Sequence, residues 1–201
     1  MRKLYLILIL LFVFSGISRA QEKELLIDDF KGAISGGPEG TVDFGAGGGS
    51  TVEVTAATEV QQSRPQTLKV NFYAVNSGYM WIARGFGLDA RNSSWLVKPE
   101  NIKWKDYSAI AFYMYGSDSK TDIAFDVKDN GGELWRCMVS DNFKGWKQVV
   151  CKFNDFVPRS DLQPDNADKN SKLDFPLKSY QWEPRPVAQG VLYFDEVKLL
   201  K

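Results

Sequence analysis

The stretch "AIAFYMYGSDSKTDIAFDV" (residues 109–127) decides the fold class. Its apolar positions recur with period two in both halves: Ile110, Phe112 and Met114, then Ile123, Phe125 and Val127. Such alternation is typical of strands with one buried face. The "GSDSK" segment between the halves has turn-forming residues. The stretch therefore predicts two strands separated by a turn.

The same pattern continues along the chain. Alternating or short apolar runs occur in "STVEVTA" (50–56), "TLKVNFYAV" (67–75), "GELWRCMVS" (132–140), "WKQVVCKF" (146–153) and "GVLYFDEVKLL" (190–200). No segment keeps a helical stripe for three turns, and the glycine-rich segment 36–49 is interpreted as a long loop. About eight to ten strands predict an all-β sandwich or barrel that forms one domain over residues 21–201.

The first twenty residues differ from the rest. "MRKLYLILILLFVFSGISRA" has a basic start, an apolar run and a small-residue end, which is the pattern of a secretory signal peptide cleaved before Gln21. The apolar run is too short for a membrane anchor. We therefore expect residues 1–20 to be removed and the protein to be secreted or periplasmic.

Composition excludes several classes of function. After removal of the signal peptide, 22 basic residues face 25 acidic ones, which is unlike the basic surface of a nucleic-acid-binding protein. No later run is long enough to span a membrane. The chain has no histidine, so Ser-His-Asp and Cys-His sites and histidine zinc sites are absent. Without a recognisable nucleophile motif either, we expect no enzyme.

The two cysteines, Cys137 and Cys151, lie on neighbouring strand-like runs. In an oxidising compartment such a pair favours one disulfide, which would add roughly 3 kcal/mol of stability in the chain-entropy model. The alternative is two buried free thiols that behave as small hydrophobic groups.

The chain ends and two inner runs carry a family resemblance. "LLIDDFKG" (25–32), "WKDYSAIAFYMYGS" (104–117), "GWKQVVCKFNDF" (145–156) and "LYFDEVKLL" (192–200) resemble the strands of galactose-binding-like jelly-roll modules. The family that these segments resemble is carbohydrate-binding module family 11, a β-glucan-binding jelly roll. Related secreted jelly rolls, including the family of complex I intermediate-associated proteins, share much of the pattern. The resemblance implies an antiparallel β-sandwich.

The resemblance also implies a ligand site on a concave sheet, where tyrosines stack on sugars and arginine and aspartate bind hydroxyls. By position, the family's ligand-binding residue types correspond to Tyr79, Arg159 and Asp161, and its rim aspartate is matched with Asp129. Trp81 and Trp135 are added as exposed rings because they lie near these residues, although core packing is the alternative for each. Leu162 stands where the family has a stacking tyrosine.

Family members often hold a structural calcium between the opening acidic strand and the aspartate of the closing strand. Here Lys31 stands in place of an acid. We hypothesise that the Lys31 ammonium lies near Asp29 or Asp195 and replaces the ion, while a weak calcium site near Asp29 and Asp195 stays open. The alternative is a solvated lysine with no structural role.

These observations predict a secreted, non-catalytic carbohydrate-binding module with a polysaccharide or glycan as its partner. The alternative is an exported structural or protein-interaction module of the same fold, with a drifted sugar site and another envelope protein as its partner.

Overall fold

The computed structural model describes residues 23–201; the predicted signal peptide, residues 1–20, lies outside them. The strands are β1 (Glu24–Asp28), β2 (Asp43–Gly47), β3 (Thr51–Ala57), β4 (Thr67–Ala74), β5 (Tyr79–Gly85), β6 (Ala109–Ser117), β7 (Asp122–Lys128), β8 (Leu134–Ser140), β9 (Lys144–Lys152), β10 (Val157–Pro158), β11 (Ser179–Pro184) and β12 (Ala188–Leu200). Three short 3₁₀ helices span Pro99–Asn101, Trp104–Asp106 and Phe153–Asp155.

The strands form two six-stranded antiparallel sheets. Sheet 1 has the order β3-β4-β12-β6-β9, and β1 also pairs with β12. Sheet 2 has the order β10-β8-β7-β11-β5-β2. The two strands predicted from residues 109–127 are β6 and β7, and they lie in opposite sheets, so the turn between them crosses the sandwich. The predicted all-β antiparallel sandwich is confirmed.

Aromatic side chains from the two sheets meet in the core. Phe112 on β6 contacts Phe125 on β7, with ring centroids 4.7 Å apart. Trp182 on β11 stacks on Phe194 on β12 at 4.2 Å. All four are fully buried. Large buried rings supply much of the hydrophobic free energy of such a sandwich.

A buried ion pair joins the sheets. Asp28, at the end of β1 in sheet 1, accepts hydrogen bonds from Arg84 Nε and Nη2 at 2.7 Å each. Asp28 also accepts one from the Tyr180 hydroxyl at 2.7 Å. Burial, followed by the Asp28 charge, raises the pKa of Tyr180 well above its usual value, so this hydroxyl stays protonated and donates. Arg84 and Tyr180 belong to β5 and β11, so one carboxylate holds two strands of sheet 2.

The cysteines require a correction to the sequence prediction. Cys137 lies on β8 in sheet 2 and Cys151 on β9 in sheet 1, so their strands are neighbours in sequence but belong to opposite sheets. Both are free thiols, and the predicted disulfide is not formed. The interaction between the two thiols lowers the pKa of Cys137 and raises that of Cys151.

Lys31 follows β1 and lies in a cage of oxygen atoms. Its Nζ donates to Asp195 Oδ1 at 3.0 Å, to the Gln66 carbonyl at 2.7 Å and to the Ser63 carbonyl at 3.0 Å. Asp195 is fully buried on β12. Burial raises the pKa of Asp195, and hydrogen bonds from Ser63 and Lys31 offset part of this shift. The hypothesised contact between Lys31 and Asp195 is present; a role in place of calcium stays a prediction.

Replacing Arg84 by methionine would leave the buried Asp28 carboxylate without its cation. We expect Arg84→Met to lower the free energy of unfolding by about 3–5 kcal/mol, since breaking a buried pair leaves an uncompensated charge. Urea unfolding measures this change. Arg91→Met is the control, because Arg91 and its partner Glu39 are 74% and 70% exposed. A surface pair contributes less than about 1 kcal/mol. Equal effects of the two variants would contradict the role of Asp28.

Lys31 provides a second test. We expect EDTA to leave the thermal midpoint of the protein unchanged, because an ammonium already occupies the oxygen cage. Lys31→Met should lower the free energy of unfolding by about 3 kcal/mol, since Asp195 then lacks its cation. Lys120→Met is the control, because Lys120 pairs with Asp118 at an exposed site. A clear fall of the midpoint in EDTA would instead indicate a bound metal ion.

Candidate functional site

A cleft of about 350 Å³ lies between the sheet edges beside the cysteines, and one of about 330 Å³ lies on the outer face of sheet 2. The second, called the cleft below, combines aromatic, aliphatic and charged side chains. They are Asp43, Tyr79 and Trp81 from β2 and β5, Gln181 and Glu183 from β11, and Leu134, Arg159 and Leu162 from β8 and the segment after β10. This mixture suits a ligand with both apolar faces and hydroxyl groups.

Two parallel rings form one side of the cleft. Tyr79 and Trp81 are two residues apart on β5, so both point to the outer face. Their planes differ by 11° and their centroids lie 6.3 Å apart. The Trp81 indole donates to Asp43 Oδ1 at 2.8 Å, which fixes its orientation. Tyr79 is 57% exposed. The two rings form an aromatic strip that is open to solvent.

Glycines of the edge strand β2 make room for these rings. Gly45 pairs with Trp81 and Gly47 with Tyr79. A Cβ atom on Gly45 would lie 2.5 Å from the Trp81 ring, and one on Gly47 would lie 2.4 Å from the Tyr79 hydroxyl oxygen. The rings therefore lie over bare backbone. The interpretation of residues 36–49 as one long loop was wrong here, because β2 forms a strand whose glycines allow this close approach.

Charged side chains occupy the centre of the face. Arg136 on β8 donates to both oxygens of Asp126, at 2.8 and 2.9 Å, and to Glu183 Oε2 at 2.7 Å. Glu183 also accepts a hydrogen bond from Arg185. Burial opposes the Arg136 cation, but the hydrogen bond and charge of Asp126 and the charges of Glu183 and Asp161 outweigh it and raise its pKa. The network holds its polar atoms in fixed places.

Arg159 links this network to the segment after β10. Its guanidinium donates to both oxygens of Asp161, at 2.8 and 3.1 Å, and to Asp126 Oδ2 at 3.1 Å. The hydrogen bond from Arg159 lowers the pKa of Asp161 to about 2. The Asp161 side chain is 48% exposed, so an ionised carboxylate faces solvent beside the cleft. It is available to accept hydrogen bonds.

The structure brings together four of the six residues named from the sequence. Tyr79, Trp81 and Arg159 line the cleft, and Asp161 is bound to Arg159.

The other two residues require a correction. Trp135 is 6% exposed and lies in the hydrophobic core, where its indole donates to Asp129 Oδ2 at 3.1 Å. Asp129 is fully buried and also accepts the backbone N–H groups of Glu133 and Asp174. Trp135 belongs to the inward half of the β8 alternation, and Asp129 organises the turn after β7. Neither one lines the cleft.

Sequence reasoning missed the glycines, the polar residues of β11 and the role of Asp126 and Arg136. Two signals were available. Alternation in "SYQWEP" (179–184) places Gln181 and Glu183 opposite the buried Tyr180 and Trp182. The glycine spacing in "DFGAG" (43–47) is a sign of close backbone approach within a strand. The pairs of Arg136 with Glu183 and of Arg159 with Asp126 had no local sequence signal, because they join residues that are far apart in the chain. Asp126 and Arg136, by contrast, face each other on the consecutive strands β7 and β8.

Within residues 23–201, no group of three or more acidic, cysteine or histidine side chains is arranged to hold a metal ion. The same part of the chain contains no helix with the length and apolar character needed to cross a membrane.

Comparison with solved structures places the fold. A family 11 carbohydrate-binding module from Clostridium thermocellum, in complex with a β-1,3-1,4-mixed-linked tetrasaccharide, is 20% identical with a TM-score of 0.69, covering 88% of this chain and 95% of that one. The family 11 module of a cellulosomal cellulase from the same organism is 19% identical with a TM-score of 0.66, covering 88% and 94%. An agarase matches with 13% identity and a TM-score of 0.55, covering 90% of this chain and 25% of its own.

At these identities the structures show a shared jelly-roll fold. Comparison with curated proteins gave no match. The profile of the family described as "Carbohydrate binding domain (family 11)" matches residues 17–201, which includes every strand of both sheets. The chain therefore belongs to carbohydrate-binding domain family 11.

Proposed function

We propose that this protein is an exported, non-catalytic module that binds a polysaccharide or glycan in the cleft of sheet 2. The observation that carries the proposal is the aromatic strip of Tyr79 and Trp81, laid over glycine backbone beside a network of fixed polar groups. Export rests on the signal-peptide pattern of residues 1–20.

The strip supplies the apolar half of sugar recognition. A sugar ring has faces of C–H groups, which gain from contact with a flat aromatic surface. Parallel rings on one strand present such a surface in a fixed orientation, because Asp43 holds the Trp81 indole. The protein side chains therefore lose less conformational entropy when a ligand binds.

The charged centre of the face, formed by Asp126, Arg136 and Glu183, supplies together with its neighbours the polar contacts of sugar recognition. Hydroxyl groups need hydrogen-bond partners when they leave water, and charged partners make the stronger bonds. Asp161, Gln181 and Glu183 provide acceptor oxygens around the cleft, while Arg159 and Gln181 provide donors. The salt bridges among the charged residues fix these groups before a ligand arrives.

The same network supports a non-catalytic role. A glycosidase needs one carboxylic acid that holds a proton at neutral pH and a second carboxylate at a set separation. Glu183 instead meets Arg136, Arg159 and Arg185 within salt-bridge distance. These three salt bridges hold the Glu183 oxygens in place as hydrogen-bond acceptors.

Affinity gels and calorimetry with a panel of neutral polysaccharides test the proposal. The β-1,3-1,4-mixed-linked tetrasaccharide that a family 11 relative was solved with belongs in the panel, together with glucomannan, xylan and agarose. Binding to at least one member is expected, with no release of reducing ends on long incubation. Binding to none would favour the protein-interaction alternative, and release of sugar would contradict the non-catalytic role.

We expect Trp81→Ala and Tyr79→Ala each to weaken binding. Truncating a central aromatic contact costs about 2 kcal/mol, which corresponds to roughly 30-fold in Kd. Trp146→Ala is the control, because Trp146 lies on β9 in sheet 1 and contacts Tyr115 there. Calorimetric titration gives Kd for the three variants, and unfolding curves check that each is folded. Unchanged affinity in both cleft variants would place the site elsewhere.

Gly45→Ala tests ring orientation without removing a ring. The added Cβ would lie 2.5 Å from the Trp81 ring and must displace it. We expect at least a tenfold loss of affinity and a change in the near-ultraviolet circular dichroism of tryptophan. Gly190→Ala is the control, because a Cβ there meets only Phe72, at 3.6 Å or more. If Gly45→Ala binds as tightly as the unchanged protein, the strip does not need its glycines.

A further inference from the structure

The outer face of sheet 2 changes character across its strands. The aromatic strip lies on β5, and the charged centre lies on β11, β7 and β8. Beyond it come four aliphatic side chains on β8, β10 and the following segment, which we call the aliphatic rim: Leu134, Met138, Val157 and Leu162. Met138, Val157 and Leu162 are 52%, 60% and 54% exposed. The face thus has two apolar borders, one aromatic and one aliphatic.

The strand register places the rim on the ligand-binding face. Val157 pairs with Arg136, and Arg136 pairs with Asp126 of the charged centre. Met138 pairs with Ala124 of β7. Residues paired across strands point to the same side of a sheet, so these side chains share the outer face. Leu134 and Leu162 line the cleft itself, opposite the strip.

Hydrogen bonds fix the two leucines of the cleft. The Gln163 side-chain amide accepts from Leu134 N–H and donates to the Leu134 carbonyl, both at 2.8 Å. The same amide nitrogen donates to the Arg159 carbonyl at 3.0 Å. The segment that carries Leu162 is therefore tied to β8. Single exposed leucines are common on proteins, but a fixed group beside a cleft marks a contact surface.

The charges of the cleft are satisfied within the protein. Arg136, Arg159 and Arg185 pair with Asp126, Asp161 and Glu183, three cations with three anions. Asp43 accepts from the Trp81 indole and from Asp89 N–H. An anionic sugar would have to break these pairs or lie beside unpaired acceptors. The charge pattern therefore fits an uncharged ligand.

We propose that the ligand is a neutral glycan carrying a methyl-ended substituent, an O-acetyl group or the ring methyl of a 6-deoxy sugar, that packs on Leu134 and Leu162. This inference rests on the proposed function. A sugar stacked on Trp81 reaches toward the aliphatic rim with its substituents. A methyl group packed on these two leucines gains from leaving water, whereas a bare hydroxyl makes no such gain against an aliphatic side chain.

Matched ligands test this proposal. Acetylated glucomannan and acetylated xylan are each compared with the same polymer after mild alkaline deacetylation, by calorimetry at one polymer concentration. A second arm compares fucosylated xyloglucan with its enzymatically defucosylated form. Burying one methyl group corresponds to about fourfold in affinity. We expect the substituted form to bind at least fourfold more tightly in one arm, and the arm identifies the substituent.

Leu162→Gln should reduce the ratio of affinities between the substituted and bare forms toward one. Leu96→Gln is the control, because Leu96 is 56% exposed and is not among the residues that line the cleft; it should leave the ratio unchanged. Equal binding of both forms in both arms would overturn this inference and leave the proposed function standing. An unchanged ratio in Leu162→Gln would also overturn it. Failure of every polysaccharide to bind would overturn the proposed function, and the inference with it.

Discussion

The fully buried carboxylate of Asp28 imposes the strictest constraint on this sandwich. An ionised carboxylate inside a protein needs paired charge and hydrogen bonds, and here Arg84 and Tyr180 supply both. These partners come from β5 and β11, which are neighbours in sheet 2, while Asp28 ends β1 of sheet 1. Displacing either strand would leave a charge or hydroxyl unsatisfied in the core. The relative position of the two sheets is fixed by this requirement.

The same two strands carry the candidate cleft on their other side. Because side chains alternate, β11 points Tyr180 and Trp182 into the core and Gln181 and Glu183 to the outer face. Likewise β5 points Met80 and Ile82 inward, and Tyr79 and Trp81 outward. Side chains on strands whose inner face is held by core contacts are positioned more accurately than side chains on loops. Stability of the core and precision of the site therefore have a common structural origin.

The fold was largely predictable from the sequence, because period-two alternation is a local signal that is repeated in most of the strands. The family resemblance pointed to Tyr79, Arg159 and Asp161, and Trp81 was added because it lies near Tyr79; the structure has all four at or beside the cleft. Trp135 was assigned to the outer face because it lies near Asp129 in the sequence, whereas the alternation of β8 points its side chain inward. The oxygen cage of Lys31 and the salt bridge from Arg136 to Glu183 depend on residues far apart in the chain. The predicted disulfide is not formed, although the two thiols lie close enough across the sandwich to shift each other's pKa.

The bare backbone at Gly45 and Gly47 has a consequence for how such a protein diverges. A single base change in a glycine codon is enough to introduce a side chain such as alanine, valine or serine. At Gly45 or Gly47 the new side chain would displace the ring of Trp81 or Tyr79, although the aromatic residue itself is not substituted. In the proposed binding mode, ligand preference would then shift through two glycines that present no side chain to a sugar. Searches for binding rings in related chains gain accuracy when the residue opposite each ring is read together with the ring.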